Sequence, residues 1–209
     1  MNREVKSKLF ECFETGDHPG RVIMTDDPLR AKMLAAHHLE NAVPILEQGG
    51  LMVYFGSYKQ ISIALVSTGF DPGITLEYIH GAKKAGVTEI LYIGECVSAS
   101  RCLALRTVVL ADCGHAGLRE RARSAASQYA IPVTIRSVLL RANIAPGFDG
   151  AADDITEEIY THAGENGIAA LSVLTVSENI ATDEKMEEHE RRSRLYSAAR
   201  LVFETAALV

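Results

Sequence analysis

The stretch RVIMTDDPLRAK, residues 21–32, contains the clearest structural signal in this sequence. Its first four residues, 21–24, are β-prone, and a helical spacing of apolar residues follows over 29–39. Asp27 stands where an N-cap belongs, and Pro28 stands at the first helical position, which suits its fixed φ and missing N–H. The stretch therefore predicts a strand that passes through a tight loop into a helix, the repeating unit of α/β proteins.

The rest of the chain alternates in the same way between β-prone and helical segments. Residues 51–58 and 61–67 are β-rich runs separated only by Lys59 and Gln60, which predicts a hairpin. Further strands are predicted at 89–93, 107–111, 133–139 and 170–176, and further helices at 74–85, 118–129, 153–165 and 185–207. This alternation predicts a three-layer α/β fold, a mixed central β-sheet flanked by helices. The length of 209 residues suits a single domain over residues 1–209.

Composition and charge argue against several classes of protein. The formal charge is −6 and the basic residues are scattered, so no positive surface is expected to hold a nucleic acid. No apolar run approaches the roughly 20 residues that cross a bilayer, and residues 1–15 lack the apolar core of a signal peptide. We therefore expect a cytoplasmic protein that has neither a membrane nor a nucleic acid as its partner.

The cysteines and histidines give no sign of a metal site. The cysteines are Cys12, Cys96, Cys102 and Cys113. They show no CxxC spacing and lie mostly beside apolar runs, so we expect reduced, buried thiols. The histidines form no ligand cluster, and the adjacent His37 and His38 would point about 100° apart on a helix. We expect no metal and no other cofactor.

Polar motifs lie in or near the loops that follow the predicted strands. Ligands of open α/β sheets bind beyond the carboxyl ends of strands, which here are the loops after Met24, Ser67, Ile93 and Val176. The motifs are DPLRAK at 27–32, GSYK at 56–59, Gly94-x-Cys96 and TVSE at 175–178. In this order and at this spacing they resemble the nucleoside phosphorylase family, in particular its hexameric purine nucleoside and uridine phosphorylase branch.

The resemblance implies a function. The family cleaves the N-glycosidic bond of nucleosides with phosphate as the nucleophile, or with water in its nucleosidase members. Such a reaction passes through a sugar cation, so the site must stabilise that cation, hold the nucleophile and assist departure of the base. The implied ligands are a nucleoside and phosphate as co-substrate. A homodimer or larger homo-oligomer is also implied, with 51–58 and the C-terminal helix as its interface or, alternatively, as ordinary core.

Arg30 takes the position of the family's phosphate-binding arginine. It would lie just inside a helix N-terminus, where a fixed cation and free N–H groups favour an oxyanion, although a first-turn arginine on the helix surface is the alternative. Asp26 replaces a glycine of the phosphate loop, Glu95 replaces a serine or threonine, and the arginine lent by a neighbouring subunit falls on Gly49. Carboxylates in place of phosphate ligands would suit a hydrolase, in which a carboxylate activates water.

Two further residues are implied as catalytic. Glu178 replaces the aspartate that works at the purine base, and Arg191 matches the arginine that assists that acid. A carboxyl group beside an arginine can pass a proton to a departing base, so the two form a coherent acid pair. The alternative is a solvated glutamate after a strand and an arginine on the outer face of a helix.

The remaining positions of the resemblance concern the nucleoside. Phe70 falls in the loop below the sugar, Tyr92 replaces a second phosphate arginine, and Ser177 belongs to the TVSE motif. Asp153 or Asp154 would hold the ribose hydroxyls, or would instead complement a helix dipole. We expect these five residues to bind the nucleoside.

Three functions stay open from the sequence. The first is an enzyme that cleaves a nucleoside by phosphorolysis or hydrolysis. The second is a non-catalytic member that binds a nucleoside or another small ligand, and the third is a structural subunit of a mixed oligomer. Loss of the neighbour's arginine at Gly49 fits the second and third better than the first.

Overall fold

The computed structural model describes residue 13 and residues 18–48, 50–69, 71–145, 147–193 and 195–208. The predictions made for Cys12, Gly49 and Phe70 lie outside these residues. The strands are β1 (Arg21–Thr25), β2 (Glu40–Gln48), β3 (Leu51–Tyr58), β4 (Ile61–Ser67), β5 (Glu89–Ser98), β6 (Val108–Ala111), β7 (Val133–Arg136), β8 (Val138–Leu140), β9 (Ala151–Asp153), β10 (Ala169–Asn179) and β11 (Glu184–Lys185). The helices are α1 (Pro28–His38), α2 (Pro72–Lys84), α3 (Ala116–Gln128), α4 (Thr156–Glu165), α5 (Glu188–Ser193) and α6 (Tyr196–Ala207).

The main path of the sheet runs β2-β3-β4-β1-β5-β10-β6-β7. The central strands are parallel, because β1 pairs in parallel with β4 and β5, and β5 pairs in parallel with β10. The pairs β2–β3, β3–β4 and β6–β10 are antiparallel. The sheet is therefore mixed, as predicted, and the carboxyl ends of β4, β1, β5 and β10 meet along one edge.

Helices cover both faces of the sheet and give the predicted three layers. Successive residues of β1 alternate between the two cores, with Val22 and Met24 facing one and Ile23 the other. Helices α2 and α4 pack on the first core, and α1, α3 and α6 pack on the second. Burial of these apolar side chains supplies most of the driving force for folding, at about 25 cal/mol per Å² of apolar surface.

The local signals around the first helix and the hairpin are confirmed. Asp27 caps α1 by accepting a hydrogen bond from the Leu29 N–H at 2.8 Å, and Pro28 is its first residue. Lys59 and Gln60 join β3 to β4 with φ of 49° and 68°, the left-handed conformation that two-residue hairpin loops require.

The prediction of one long C-terminal helix over 185–207 is wrong. Lys185 instead pairs with Glu178 in the β10–β11 ladder, so its backbone cannot also be helical. The segment that follows divides into the short helix α5 and the longer helix α6. The break changes where α5 lies, which matters for the site described below.

Several strand boundaries also differ from the prediction. β5 continues to Ser98 and β10 to Asn179, because the two strands pair along almost their whole length. The predicted helix 153–165 begins at Thr156, and Asp153 ends β9. β2 was not predicted, since Pro44 and a mostly exposed set of side chains hide an edge strand.

Burial bears on two further expectations. Residues 51–58 form the inner strand β3, and α6 packs on the second core, so most of their apolar side chains lie in the core, which is the alternative that the sequence left open for them. Cys96 is buried as expected, but Cys102 and Cys113 are exposed, and all three are free thiols. Within the described part of the chain, no helix has the length and apolar character to cross a membrane.

Candidate active site

A cavity of about 420 Å³ opens at the edge of the sheet where the carboxyl ends of the central strands meet. It is lined by Asp26, Asp27, Arg30, Thr68, Gly69, Pro72, Thr75, Tyr92, Glu95, Arg141, Asp153, Asp154, Ile155, Ser177, Glu188 and Arg191. Most of the predicted site residues are in this set, although they come from segments far apart in the chain. The parallel central strands explain this convergence, because their following loops share one edge.

Arg30 lies at the base of the cavity and is only 9% exposed. One Nη1 hydrogen bond goes to Asp26 Oδ1 at 2.8 Å and another to Thr25 Oγ1 at 3.2 Å, while Nη2 donates to Glu95 Oε1 at 2.7 Å. The predicted phosphate ligand is thus held between two carboxylates of its own chain. An oxyanion at this place would have to compete with both.

Glu95 links Arg30 to a second arginine. Its Oε2 accepts a hydrogen bond from Arg191 Nε at 2.6 Å, and its side chain is 14% exposed. The four residues Asp26, Arg30, Glu95 and Arg191 form a continuous ion-pair chain, in which the two negative and two positive charges cancel. Charge-assisted bonds of this length are strong and hold the side chains in fixed orientations.

Asp26 has one carboxylate oxygen engaged and one available. The bonds from Arg30 and Thr25 both fall on Oδ1, and Oδ2 receives none from another residue of the described chain. Burial raises the pKa of Asp26 above its ordinary value, while the nearby Arg30 opposes that shift. A fixed carboxylate with a raised pKa and an open oxygen on a cavity is suited to accept a proton.

Tyr92 is the other unusual group of the lining. Only 3% of the residue is exposed, and its hydroxyl has no hydrogen-bond partner among residues that the structure describes. Burial raises its pKa well above the usual value, and the negative charges of Asp26 and Asp153 add to the shift. The hydroxyl therefore stays protonated and offers one donor to a ligand.

Known proteins resemble this chain in sequence. No protein-family model matches the sequence. A purine nucleoside phosphorylase of the DeoD type from Bacillus subtilis (strain 168) is 27% identical over an alignment of 215 positions that covers 88% of this chain and 92% of that protein. The corresponding protein of Geobacillus kaustophilus (strain HTA426) is 28% identical, with 92% of this chain and 95% of that protein covered.

The fold also has a close counterpart among solved structures. A crystal structure of purine nucleoside phosphorylase from Toxoplasma gondii in complex with immucillin-H superposes with a TM-score of 0.79. The alignment covers 91% of each chain at 15% sequence identity. The chain is therefore similar to purine nucleoside phosphorylases in sequence and in fold. Its departures from the family's motifs are therefore changes within a common scaffold.

The phosphorylase-like acid pair is not formed by the residues predicted for it. Glu178 lies 3.5 Å from Lys185 and is absent from the cavity lining, whereas Arg191 bonds to Glu95. The regular alternation of β10 is interrupted here by a β-bulge between Val176 and Glu178, and Ser177 lines the cavity whereas Glu178 does not. The partner expected for Arg191 is thus replaced by Glu95.

Asp153 and Asp154, which were expected to hold the ribose hydroxyls, both line the cavity but already interact with other groups of the chain. Asp153 is 3% exposed and accepts hydrogen bonds from the Ile155 and Thr156 N–H groups and from Thr156 Oγ1. It therefore caps the start of α4, in line with the helix-dipole alternative. Burial raises its pKa, and these hydrogen bonds oppose the shift. Asp154 is exposed and lies 3.6 Å from Arg141 Nε.

The GSYK motif of the family resemblance lies away from the cavity. Tyr58 Oη donates to Glu204 Oε1 at 2.9 Å, and Lys59 Nζ donates to Glu204 Oε2 at 2.5 Å. Burial raises the pKa of Glu204, but hydrogen bonds from Lys59 and Tyr58 outweigh this and leave it below the ordinary value. The motif therefore fastens the β3–β4 hairpin to α6.

Sequence reasoning missed the residues that hold α5 over the cavity. Arg106 makes a bidentate pair with Glu190, Nε to Oε1 at 2.6 Å and Nη2 to Oε2 at 2.8 Å. This pair fixes the short helix that presents Arg191 and Glu188. Nothing in the sequence near Arg106 indicates a partner 84 positions away. Arg141 was also missed, since it belongs to none of the predicted strands, helices or motifs.

The described residues include no group of three or more His, Cys, Asp or Glu side chains arranged to hold a metal ion. Of the acidic side chains of the lining, Asp26, Glu95 and Asp154 lie beside arginines, and Asp27 and Asp153 accept hydrogen bonds from helix N–H groups. Groups of this kind can transfer protons, form hydrogen bonds and stabilise charge.

Proposed function

We propose that this protein cleaves the N-glycosidic bond of a nucleoside and that water is the nucleophile. Cleavage of a nucleoside is supported by the relatives, which are described as purine nucleoside phosphorylases. The choice of water is supported by one observation, that Arg30 is already bound by Asp26 and Glu95. Where a phosphorylase would need a free arginine, this chain has a neutralised one.

The charge balance argues against phosphate. A phosphate beside Arg30 would lie close to two carboxylates, and two like charges 4 Å apart repel by about 1 kcal/mol even in bulk water. In a partly enclosed cavity the repulsion is larger. Opening the ion-pair chain to admit phosphate would also leave Glu95 without its partner. Water carries no charge and needs none of this rearrangement.

The proposed reaction uses Asp26 as the general base. Its free oxygen, Oδ2, takes a proton from water while the water oxygen forms a bond to the anomeric carbon of the sugar. The carbon–nitrogen bond breaks with its electron pair going to the base, which takes up a proton from solvent as it departs, and Asp26 then releases its proton to solvent. The carboxylates of the lining stabilise the positive charge that develops on the sugar. Tyr92 donates a hydrogen bond to the bound nucleoside, with Ser177 and Asp154 as further contacts. The reaction needs no metal or organic cofactor.

The test is release of base from adenosine, guanosine, inosine and uridine, with phosphate present and absent. We expect release at the same rate in both conditions. Asp26→Asn should lower kcat by at least about 100-fold, because general-base catalysis contributes that much or more. The matched control is Asp71→Asn, since Asp71 caps α2 at the same edge of the sheet without lining the cavity. Release that depends on phosphate would overturn the choice of water.

A second candidate is a non-catalytic protein that binds a nucleoside. The position of Glu178 favours it, because the group expected to assist the departing base lies outside the cavity, beside Lys185. This candidate predicts no release from any of the four nucleosides, together with a higher melting temperature in the presence of one of them. Release that falls with Asp26→Asn would exclude it.

The assembly belongs to the same proposal. We expect one domain and a homodimer or larger homo-oligomer. The exposed apolar side chains Leu29 and Met33 of α1 and Val43 and Ile45 of β2 lie on neighbouring elements and are 36% to 54% exposed. Sedimentation velocity over a range of concentrations measures this directly, and a monomer at all concentrations would contradict it.

A further inference from the structure

The short helix α5 lies between two ion pairs made by neighbouring residues. Glu190 and Arg191 are adjacent, so on a helix their side chains point about 100° apart. On the cavity side, Arg191 Nε donates to Glu95 Oε2 at 2.6 Å. On the other side, Glu190 accepts both bonds of Arg106, at 2.6 Å and 2.8 Å, and is only 9% exposed. The helix is therefore held from two directions.

Arg106 is itself fixed to the sheet. Its N–H donates to the Val176 carbonyl at 2.8 Å, and the Val176 N–H donates to the Thr107 carbonyl at 3.0 Å. Its φ is 69°, in the left-handed region that residues other than glycine rarely adopt. Residues held in this region are frequent at functional sites, where the surrounding structure compensates for the strain. An arginine at a position that favours glycine indicates that its side chain is used.

The position of α5 depends on these ion pairs. The helix has six residues, and an isolated helix of this length is unstable in water. Loss of the Arg106 guanidinium would take its bidentate partner from the buried Glu190 carboxylate, which favours a shift of α5 toward solvent. Because Arg191 is the next residue, such a shift would withdraw it from Glu95.

We propose that Arg106 is a positioning residue: by holding Glu190 it keeps Arg191 on Glu95, and so it sets the charge that Asp26 faces. Its consequence for catalysis rests on the proposed hydrolysis. Arg106 does not line the cavity and acts on the general base only through α5 and Glu95.

The charges around Asp26 give the direction of the effect. Burial raises the pKa of Asp26, Arg30 lowers it, and Glu95 and Asp27 raise it. The other titratable or charged groups of the lining are Tyr92, Arg141, Asp153, Asp154 and Glu188. While Arg191 binds Glu95 it cancels that negative charge, and without it Glu95 would raise the pKa of Asp26 further. Asp26 would then be protonated, and unable to accept a proton from water, over a wider range of acidic pH.

The experiment measures kcat/KM against pH, with the nucleoside that the parent cleaves fastest. Arg106→Gln should lower kcat/KM by about threefold on the acidic limb, the effect of one partly screened charge, and by less than about twofold on the plateau. Arg191→Gln should give the same profile. The double variant should be no worse than either single variant, because both changes act through the same contact with Glu95.

Two further variants separate positioning from folding. Arg106→Gly removes the guanidinium but relieves the left-handed backbone, so it should melt no lower than Arg106→Gln and still show the acidic loss. Arg101→Gln is the matched control, because Arg101 lies in the same loop, is exposed and forms no ion pair with a described residue. It should match the parent at every pH.

Carbon NMR of the Asp26 carboxyl, assigned by its loss in Asp26→Asn, gives a measurement that needs no turnover. Its titration midpoint should lie at higher pH in Arg106→Gln than in the parent.

The outcomes separate this inference from the proposed function. Cleavage with an unmoved midpoint, or with an equal loss of activity at every pH in Arg106→Gln, would overturn the inference and leave hydrolysis standing. A raised midpoint in a protein that cleaves no nucleoside would support the positioning role and overturn hydrolysis. An unmoved midpoint without cleavage would overturn both.

Discussion

Strand β5 carries one glutamate at its amino end and another toward its carboxyl end, and each lies between two arginines, with opposite consequences. At the amino end Glu89 Oε2 lies 3.3 Å from Arg21 Nε and 2.7 Å from Arg121 Nη2. At the carboxyl end Glu95 pairs with Arg30 and Arg191. The same residue types thus occur in the same arrangement, but only the second group borders the cavity.

The difference lies in what the arginines bind besides the glutamate. At the amino end Arg21 donates to the Ala206 carbonyl at 2.6 Å and Arg121 to the Leu208 carbonyl at 2.8 Å. These are the free carbonyls at the C-terminal end of α6, a helix end that attracts cations. The amino-end group is therefore closed by the fold. At the carboxyl end the guanidinium and carboxyl groups line a cavity, where a ligand can reach them.

The largest effect is expected from Glu95→Gln. The change removes the charge between Arg30 and Arg191 and should lower the free energy of unfolding by about 2 kcal/mol, less than for a fully buried pair because Arg191 is partly exposed. Phosphate should then raise the melting temperature of the variant but not of the parent, because ligand binding to the folded state stabilises it. Thermal unfolding in phosphate and in chloride at equal ionic strength measures both. An equal response of both proteins would contradict our account of the ion-pair chain.

The next effect concerns pH. Asp26 must be ionised to accept a proton, and burial raises its pKa above the ordinary value. Activity should therefore fall as the pH drops through this raised pKa, by about tenfold per pH unit below it. The acidic limb of kcat/KM against pH should lie above the range of an exposed aspartate. A limb at or below that range would remove Asp26 as the base.

A smaller effect, on stability alone, is expected from Glu89→Gln. The ion pairs at the amino end are mostly but not fully buried, so their loss should lower the free energy of unfolding by about 1 kcal/mol. Nucleoside cleavage should be unchanged, and phosphate should give no stabilisation. Urea unfolding and the cleavage assay test this together. A loss of activity, or a stabilisation by phosphate like that expected of Glu95→Gln, would mean that the two ends do not differ in function.

The smallest effect is expected from Glu178→Gln. Its side chain is 33% exposed and 3.5 Å from Lys185, and a surface pair of this kind contributes about 0–1 kcal/mol. Activity should change by less than about threefold, in contrast to the loss expected of a catalytic acid. The kcat and KM of the variant decide whether Glu178 forms only a surface ion pair or acts as a catalytic acid. A loss of about 100-fold or more would return Glu178 to the role that the family resemblance implies.

The sequence by itself determined the scaffold and the place of the site. The β-prone residues, the N-cap and the proline of residues 21–32 act locally. The strand and the helix that they form could therefore be predicted from propensity and capping alone. Ligands bind beyond the carboxyl ends of parallel strands, and this rule predicted that Asp26, Arg30, Tyr92 and Glu95 lie at one edge of the sheet. All four line the cavity. The family resemblance pointed to the same loops.

Only the tertiary structure decided which of these side chains meet. Arg30 and Glu95 are 65 positions apart and Arg191 and Glu95 are 96 apart, so no local pattern relates them. Pairing of Lys185 with Glu178 interrupts the expected C-terminal helix and leaves Arg191 on a short helix of its own. A β-bulge between Val176 and Glu178 interrupts the alternation of β10, and Ser177 lines the cavity whereas Glu178 does not. Local sequence fixes the element in which a residue lies, whereas the packing of distant elements fixes its partners.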